Sequence, residues 1–174
     1  MKQFIALLTL TLLLPTTSPA QEDKYAADGH SIETLIPALY AVISGEKGEV
    51  RNWERFKSMF VADARLMPSG KNKEGKVGYR VMTPDDYIES AGKWLVEKGF
   101  FETEISRKTE VYGSMAHVFS SYESRYSASD EEPFARGINS IQLLHDGTRW
   151  KVVSIYWLGE TADNPLPEKY LPKE

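Results

Sequence analysis

The 174-residue chain carries 21 basic and 25 acidic side chains, a net charge of −4, and no cysteine. The two signs are interspersed without a basic stripe, which argues against nucleic acid as a partner. The lack of thiols removes a disulfide framework, a cysteine nucleophile and any thiolate metal site.

Lys2 precedes an apolar run from Phe4 to Leu14, and Pro15 to Ala20 ends in small residues. This is the layout of a secretory signal peptide, with Ser18 and Ala20 at the small positions before the cut. The run falls short of the roughly 20 residues that span a bilayer. Residues 1–20 are therefore expected to be removed after Ala20. The mature protein would be periplasmic or secreted, with no membrane attachment. Residues 21–160 then form a single domain that a hydrophobic core can hold by itself.

In the mature part, Ile32, Leu35, Ile36, Leu39, Tyr40 and Ile43 recur at helical spacing. Pro37 lies within that pattern, so the helix either starts near Thr34 or is kinked. Asn52 is a fitting N-cap for a second helix bearing Trp53, Phe56 and Phe60. Asp63 to Pro68 and Val77 to Met82 read as short strands around a Gly- and Lys-rich loop. Thr83-Pro84-Asp85-Asp86 opens a third helix with a cap, a proline and two acids at its positive end. Its buried stripe is Tyr87, Ile88, Ala91, Trp94 and Leu95, and Gly99 stops it.

Four long strands follow. Phe101 to Tyr112 alternates, and a two-residue turn at Gly113-Ser114 pairs Arg107 with Ser120, Ile105 with Tyr122 and Phe101 with Tyr126 on the inner face. Glu102, Glu104, Glu110, His117 and Glu123 then point outward. A turn centred on Asp146-Gly147 joins the last two strands and sets Asn139 opposite Ser154 and Gly137 opposite Tyr156. Arg136 falls opposite Trp157 on the outer face, within reach of a cation–π contact. Residues 161–174, with Pro165, Pro167 and Pro172, form an extended tail. The fold class is α+β: three N-terminal helices packed on a curved, mixed or antiparallel sheet of about six strands.

Several segments in this order carry a resemblance: Trp53-Glu-Arg-Phe56, Phe60-Val-Ala-Asp-Ala64, Arg136-Gly-Ile-Asn-Ser-Ile141, Asp146-Gly-Thr-Arg-Trp150 and Ser154-Ile-Tyr-Trp157. Together they resemble the nuclear transport factor 2-like cone, also called SnoaL-like or cystatin-like, and its exported bacterial members of undetermined activity. The resemblance implies a ligand site between the curved sheet and the helices. It does not fix the chemistry, because such cones host isomerases, cyclases, hydratases and binding modules.

By the register above, the inward face offers Arg107, Tyr122, Tyr126, Asn139, Ser154 and Tyr156 as pocket candidates, with Trp53 added from the second helix. Arg107 either meets an anion at the pocket mouth or pairs with an acid from a helix. These are donors without a base, so the leading expectation is an exported small-molecule-binding protein with no covalent chemistry. One alternative is a SnoaL-like isomerase, cyclase or hydratase in which Tyr122 or Asn139 holds an oxyanion and Asp63 serves as base. Another is a non-catalytic dimeric interaction module whose interior is filled by Trp53, Met67, Tyr122 and Trp150. An acid within reach of a real cavity would separate them. His30, His117 and His145 are scattered, so neither a metal nor a cofactor is expected. Ile138, Val153, Ile155 and Trp157 on the outer face suggest a homodimer.

Overall fold

The computed structural model describes residues 24–172; the expected signal peptide lies outside them. A short 3-10 turn (Ala26–Gly29) leads into α1 (Ile32–Ile43), α2 (Trp53–Ser58), β1 (Phe60–Lys71), β2 (Val77–Tyr79) and α3 (Pro84–Lys98). Strands β3 (Phe101–Tyr112), β4 (Met115–Arg125), β5 (Ala135–His145) and β6 (Trp150–Gly159) complete the domain. They form one six-stranded sheet in the order β2-β1-β6-β5-β4-β3, mixed because β1 runs parallel to β6. The α+β cone of three helices on a curved sheet is the architecture expected from the sequence.

Local chemistry accounts for the helix starts. Ser31 and Thr34 form a capping box on α1, Asn52 accepts from Arg55 N on α2, and Thr83 and Asp86 cap α3 reciprocally. The α1 helix begins two residues before Thr34, so Pro37 lies in its second turn on the exposed side. Water can satisfy the carbonyl that Pro37 leaves without a donor. The opposite side of α1 buries Leu35, Ile36 and Leu39 against Val118, Ile141, Leu143 and Val152 of the sheet. Arg51 ties the ends of two helices together, donating to the carbonyls of Ile43, Gly45 and Leu95.

Two bulges decide which side chains face inward. Between β3 and β4 the expected pairing holds near the turn, with Arg107 opposite Ser120. The register then slips between Glu104 and Ser106, leaving Ile105 without a partner. Beyond the slip Glu104 pairs with Tyr122 and Glu102 with Ser124, so both acids turn to the inner face. Arg125 pairs with Glu123 of its own strand instead of Glu102.

Between β5 and β6 the turn is four residues long. Asp146 N donates to the Arg149 carbonyl, and the Asp146 carboxylate accepts from Thr148 N, Thr148 Oγ1 and Arg149 N. Gly147 takes φ 100°, which favours glycine. This moves the pairing by two residues, so Leu143 meets Val152 on the inner face. A second slip at Val153 reverses the rest of β6. Asn139 now opposes Trp157, and Ser154 opposes Gln142. The expected Asn139–Ser154 rung does not form. Ile155 and Trp157 face inward, while Ser154 and Tyr156 face outward, opposite to expectation. Arg136 pairs with Glu160 in place of Trp157.

The tail is not simply extended. Leu166 N donates to Glu160, and a 3-10 turn at Glu168–Tyr170 lays Tyr170 on Phe119 of the outer sheet face, ring centroids 4.9 Å apart.

Gly137 stands under the Tyr122 phenol. A Cβ there would lie 2.5 Å from the Tyr122 hydroxyl and 2.6 Å from the Leu158 carbonyl, the latter fixed backbone. Gly137→Ala should therefore lower stability by about 1–3 kcal/mol and displace Tyr122, read as a lower urea midpoint at unchanged slope.

Candidate functional site

The concave face of the sheet and helices α1 and α3 enclose a cavity of about 290 Å³. Its walls are mainly apolar, including Leu39, Leu66, Tyr87, Trp94, Ile155 and Trp157. Trp94 and Phe134 continue outward into an aromatic cluster with Phe100 and Tyr126. Among the described residues Glu102 is the one carboxylic acid in the lining, and no Lys, Arg or His joins it.

Glu102 reaches this position through the β3 bulge. Its backbone N–H is held by Ser44 Oγ at 3.0 Å, and Ser124 Oγ donates to Oε2 at 2.9 Å. Glu102 is half-buried and lines the cavity. Burial penalises the charged form and pushes Glu102 up to about 7, against opposing hydrogen bonding from Ser124 and the Asn139 amide. The carboxyl thus changes charge near neutral pH, which is where a general base or acid works best.

A directional hydrogen-bond chain runs beside it. Arg107 Nε lies 3.1 Å from Glu104 Oε2. Ser120 Oγ donates its single proton to Glu104 Oε1 at 2.6 Å. Tyr40 must then donate to Ser120 Oγ, 2.7 Å away, and its oxygen accepts from Asn139 Nδ2 at 3.1 Å. Every donor in this chain has one assignment. Tyr40 is committed within it and has no proton to offer a ligand.

Tyr87 and Tyr122 differ. Both line the cavity, and among the described residues neither hydroxyl has a hydrogen-bond partner. No side-chain polar atom among those residues is both fully buried and unpartnered, so each hydroxyl keeps some exposure. Burial, with the Glu102 charge acting in the same direction, raises both phenols and keeps them protonated donors. The lining of this largely apolar chamber thus combines a titratable carboxyl with two tyrosines whose hydroxyls have no partner among the described residues.

Of the seven sequence candidates, Tyr122 and Asn139 line the cavity. Arg107 lies outside it and pairs with an acid of its own strand, neither an anion at the mouth nor a helix acid. Tyr126 stacks on Phe134 one ring beyond the lining, at 4.2 Å. Ser154 and Tyr156 are turned away by the β6 bulge. Trp53 packs against Phe56 and above Gly92, outside the lining. Asp63, the candidate base, is exposed on β1. The residues that sequence reasoning missed are Glu102, Tyr40, Tyr87 and Ser124. For Glu102 the one available signal was the β-branched and aromatic run around an acid, which alternation alone assigns to the wrong face. Among the described residues no group of three or more His, Asp or Glu could hold a metal ion.

The sequence matches no family model and no curated protein. Solved structures do match in shape. A cystatin-like protein of unknown function from Nostoc punctiforme aligns with a TM-score of 0.57 at 10% identity, over 75% of this chain and 90% of that one. A nuclear transport factor 2-like protein of unknown function from Silicibacter pomeroyi aligns at 0.51 and 15% identity, over 74% and 92%. A proposed scytalone dehydratase from Novosphingobium aromaticivorans aligns at 0.53 and 16% identity, over 75% and 82%. The chain therefore has the nuclear transport factor 2-like fold. At such identities the likeness concerns the fold alone.

Proposed function

We propose that this protein binds a small, neutral, largely apolar carbonyl compound and moves a proton on it by general acid–base chemistry, as an isomerase does. The observation that carries the reading is Glu102, an acid pushed up to about 7, in one cavity lining with Tyr87 and Tyr122, whose hydroxyls have no partner among the described residues. The absence of a base in the lining, on which a purely binding role rested, is overturned. Among the described residues the lining has no cation to balance an anionic ligand, which would also meet the Glu102 carboxylate.

In this reading the Glu102 carboxylate takes a proton from the carbon beside the carbonyl. The C–H pair moves into the new C–C double bond, and the oxygen becomes an enolate held by a phenol donor. Return of the proton from Glu102 to another carbon of the conjugated system gives the isomer. Export after cleavage behind Ala20 and pairing of two copies complete the proposal. The outer face available for pairing is now Ile138, Tyr156 and Leu158, partly covered by the tail, with Val153 exposed at the bulge.

β-Tetralone, a neutral bicyclic ketone, is a suitable probe. It should quench the fluorescence of Trp94 and Trp157 saturably, and Ala91→Trp, which fills the chamber, should abolish the quenching while leaving the circular dichroism unchanged. Quenching that never saturates, or that survives Ala91→Trp, would sink the pocket reading.

A further inference from the structure

We infer that Ser124 is a positioning residue for Glu102: its hydroxyl fixes one carboxyl oxygen across the strand pair, so that the other is held ready to take the proton. The inference rests on Glu102 being the working carboxyl of the chamber, and one arm of its test needs no ligand.

The strand pairing brings the serine to the acid. Beyond the slip at Ile105, Glu102 of β3 stands directly opposite Ser124 of β4. The Glu102 backbone turns away from β4: its N–H donates to Ser44 Oγ at 3.0 Å, and its carbonyl lies 3.4 Å from the same hydroxyl. Because β3 is the edge strand, that N–H has no further strand to meet, and Ser44 at the C-cap of α1 supplies the acceptor. Ser44 is itself fixed by donating to the Tyr40 carbonyl at 2.7 Å. The Ser124 carbonyl likewise turns away from β3 and accepts from Phe134 N at 2.9 Å. Opposed antiparallel residues that exchange no backbone bonds bring their side chains closest. Across that short gap Ser124 Oγ donates to Glu102 Oε2 at 2.9 Å.

Ser124 is 2% exposed, so its single hydroxyl proton is kept from bulk water and spent on Glu102. Glutamate is a rotamer-rich side chain, and a base that must be ordered during the reaction works less well than one already in place. Here the backbone is held by Ser44 and Oε2 by Ser124, which leaves Oε1 as the oxygen to take a proton. The titratable groups that share the lining are Tyr40 from α1, Tyr87 from α3 and Tyr122 from β4. Among the described residues α2, β1, β5 and β6 bring no acid or base to it. Glu104, two residues along β3, is paired with Arg107.

The first arm of the test uses the unliganded protein. Glutamate side chains are labelled with carbon-13 at the carboxyl, the Glu102 resonance is assigned by its loss in Glu102→Gln, and its titration midpoint is followed. Wild type should titrate at about 7. Ser124→Ala should raise the midpoint by about one pH unit, because a lost hydrogen bond to the charged form disfavours ionisation. Ser124→Cys keeps a weak donor in a similar volume and should titrate between the two. The second arm follows deuterium exchange into β-tetralone at a pH above all three midpoints. There the maximal rate should fall by about tenfold or more in Ser124→Ala, while the ketone concentration that half-quenches the tryptophans stays as in wild type.

A merely structural serine would lower the urea midpoint of unfolding and leave the Glu102 titration where it was. A titration midpoint shared by wild type, Ser124→Ala and Ser124→Cys therefore overturns the inference. So does a Ser124→Ala protein that exchanges as fast as wild type, or that loses affinity in place of rate. If wild type exchanges no deuterium, the proposed reaction fails, and the titration arm then decides by itself whether Ser124 holds the Glu102 carboxyl.

Discussion

Glu102→Gln should reduce proton transfer by roughly two to four orders of magnitude, the usual worth of a positioned general base. The substitution keeps the size of the side chain and an oxygen for the Ser124 hydroxyl, so the chamber is preserved. What it removes is the ability to take a proton. The turnover number should fall while the affinity for a neutral ketone stays close to wild type, because the carboxyl works mainly in the transition state. Tyr122→Phe and Tyr87→Phe separate the two phenols. Whichever hydroxyl faces the developing oxyanion should matter by about 10²-fold or more. The other should change affinity alone. Stopped-flow measurement of the two constants makes the distinction.

The same Glu102→Gln variant should be more stable than wild type at alkaline pH. The folded-state carboxyl titrates at about 7, whereas its ordinary value is 4.5. Its pKa is raised on folding, so between those two values the folded state binds more protons than the unfolded state. Stability therefore falls as pH rises through that window, and the penalty is complete above about pH 7. Its size is roughly 3 kcal/mol for a displacement of this order. At about pH 4 both forms are neutral at this position and the two proteins should have similar midpoints in urea. At about pH 8.5 the variant should hold to a higher urea concentration, with the gap opening between the two extremes. A gap that is the same at both pH values would show that Glu102 is not penalised by burial. The pairing of lost activity with gained stability is what a destabilised working group produces.

The fold was legible because its determinants are local and additive. Ser31, Asn52 and Thr83 announce their helices through backbone hydrogen bonds that each side chain makes within three residues. Leu35, Ile36 and Leu39 mark the buried side of α1 by spacing alone. The site was legible only in part, because the facing of a strand is not additive. One extra residue reverses every side chain beyond it. The bulge at Ile105 brought Glu102 and Glu104 inside, and the bulge at Val153 sent Ser154 and Tyr156 outside.

Alternation cannot locate such a residue. The bulges arise where a curved sheet must bend around three helices, which is a tertiary demand. Tyr122 and Asn139 survived because β4 and β5 carry no such slip on their inner faces. Asp146-Gly147 misled for a different reason. The Asp146 carboxylate gathers three donors from Thr148 and Arg149, and this Asx-type cap lengthens the turn to four residues. Tyr87 was visible as part of a buried helix stripe, and nothing in that spacing separates a core tyrosine from one that lines a chamber.

The central claim is that Glu102 removes a proton from a carbon held against Tyr87 and Tyr122, and solvent deuterium exchange measures that step by itself. β-Tetralone in deuterium oxide should gain deuterium beside its carbonyl faster with the protein than in buffer. The rate should rise with a midpoint near 7 and disappear in Glu102→Gln. Exchange no faster than buffer, or equal in the wild type and Glu102→Gln, would contradict the account.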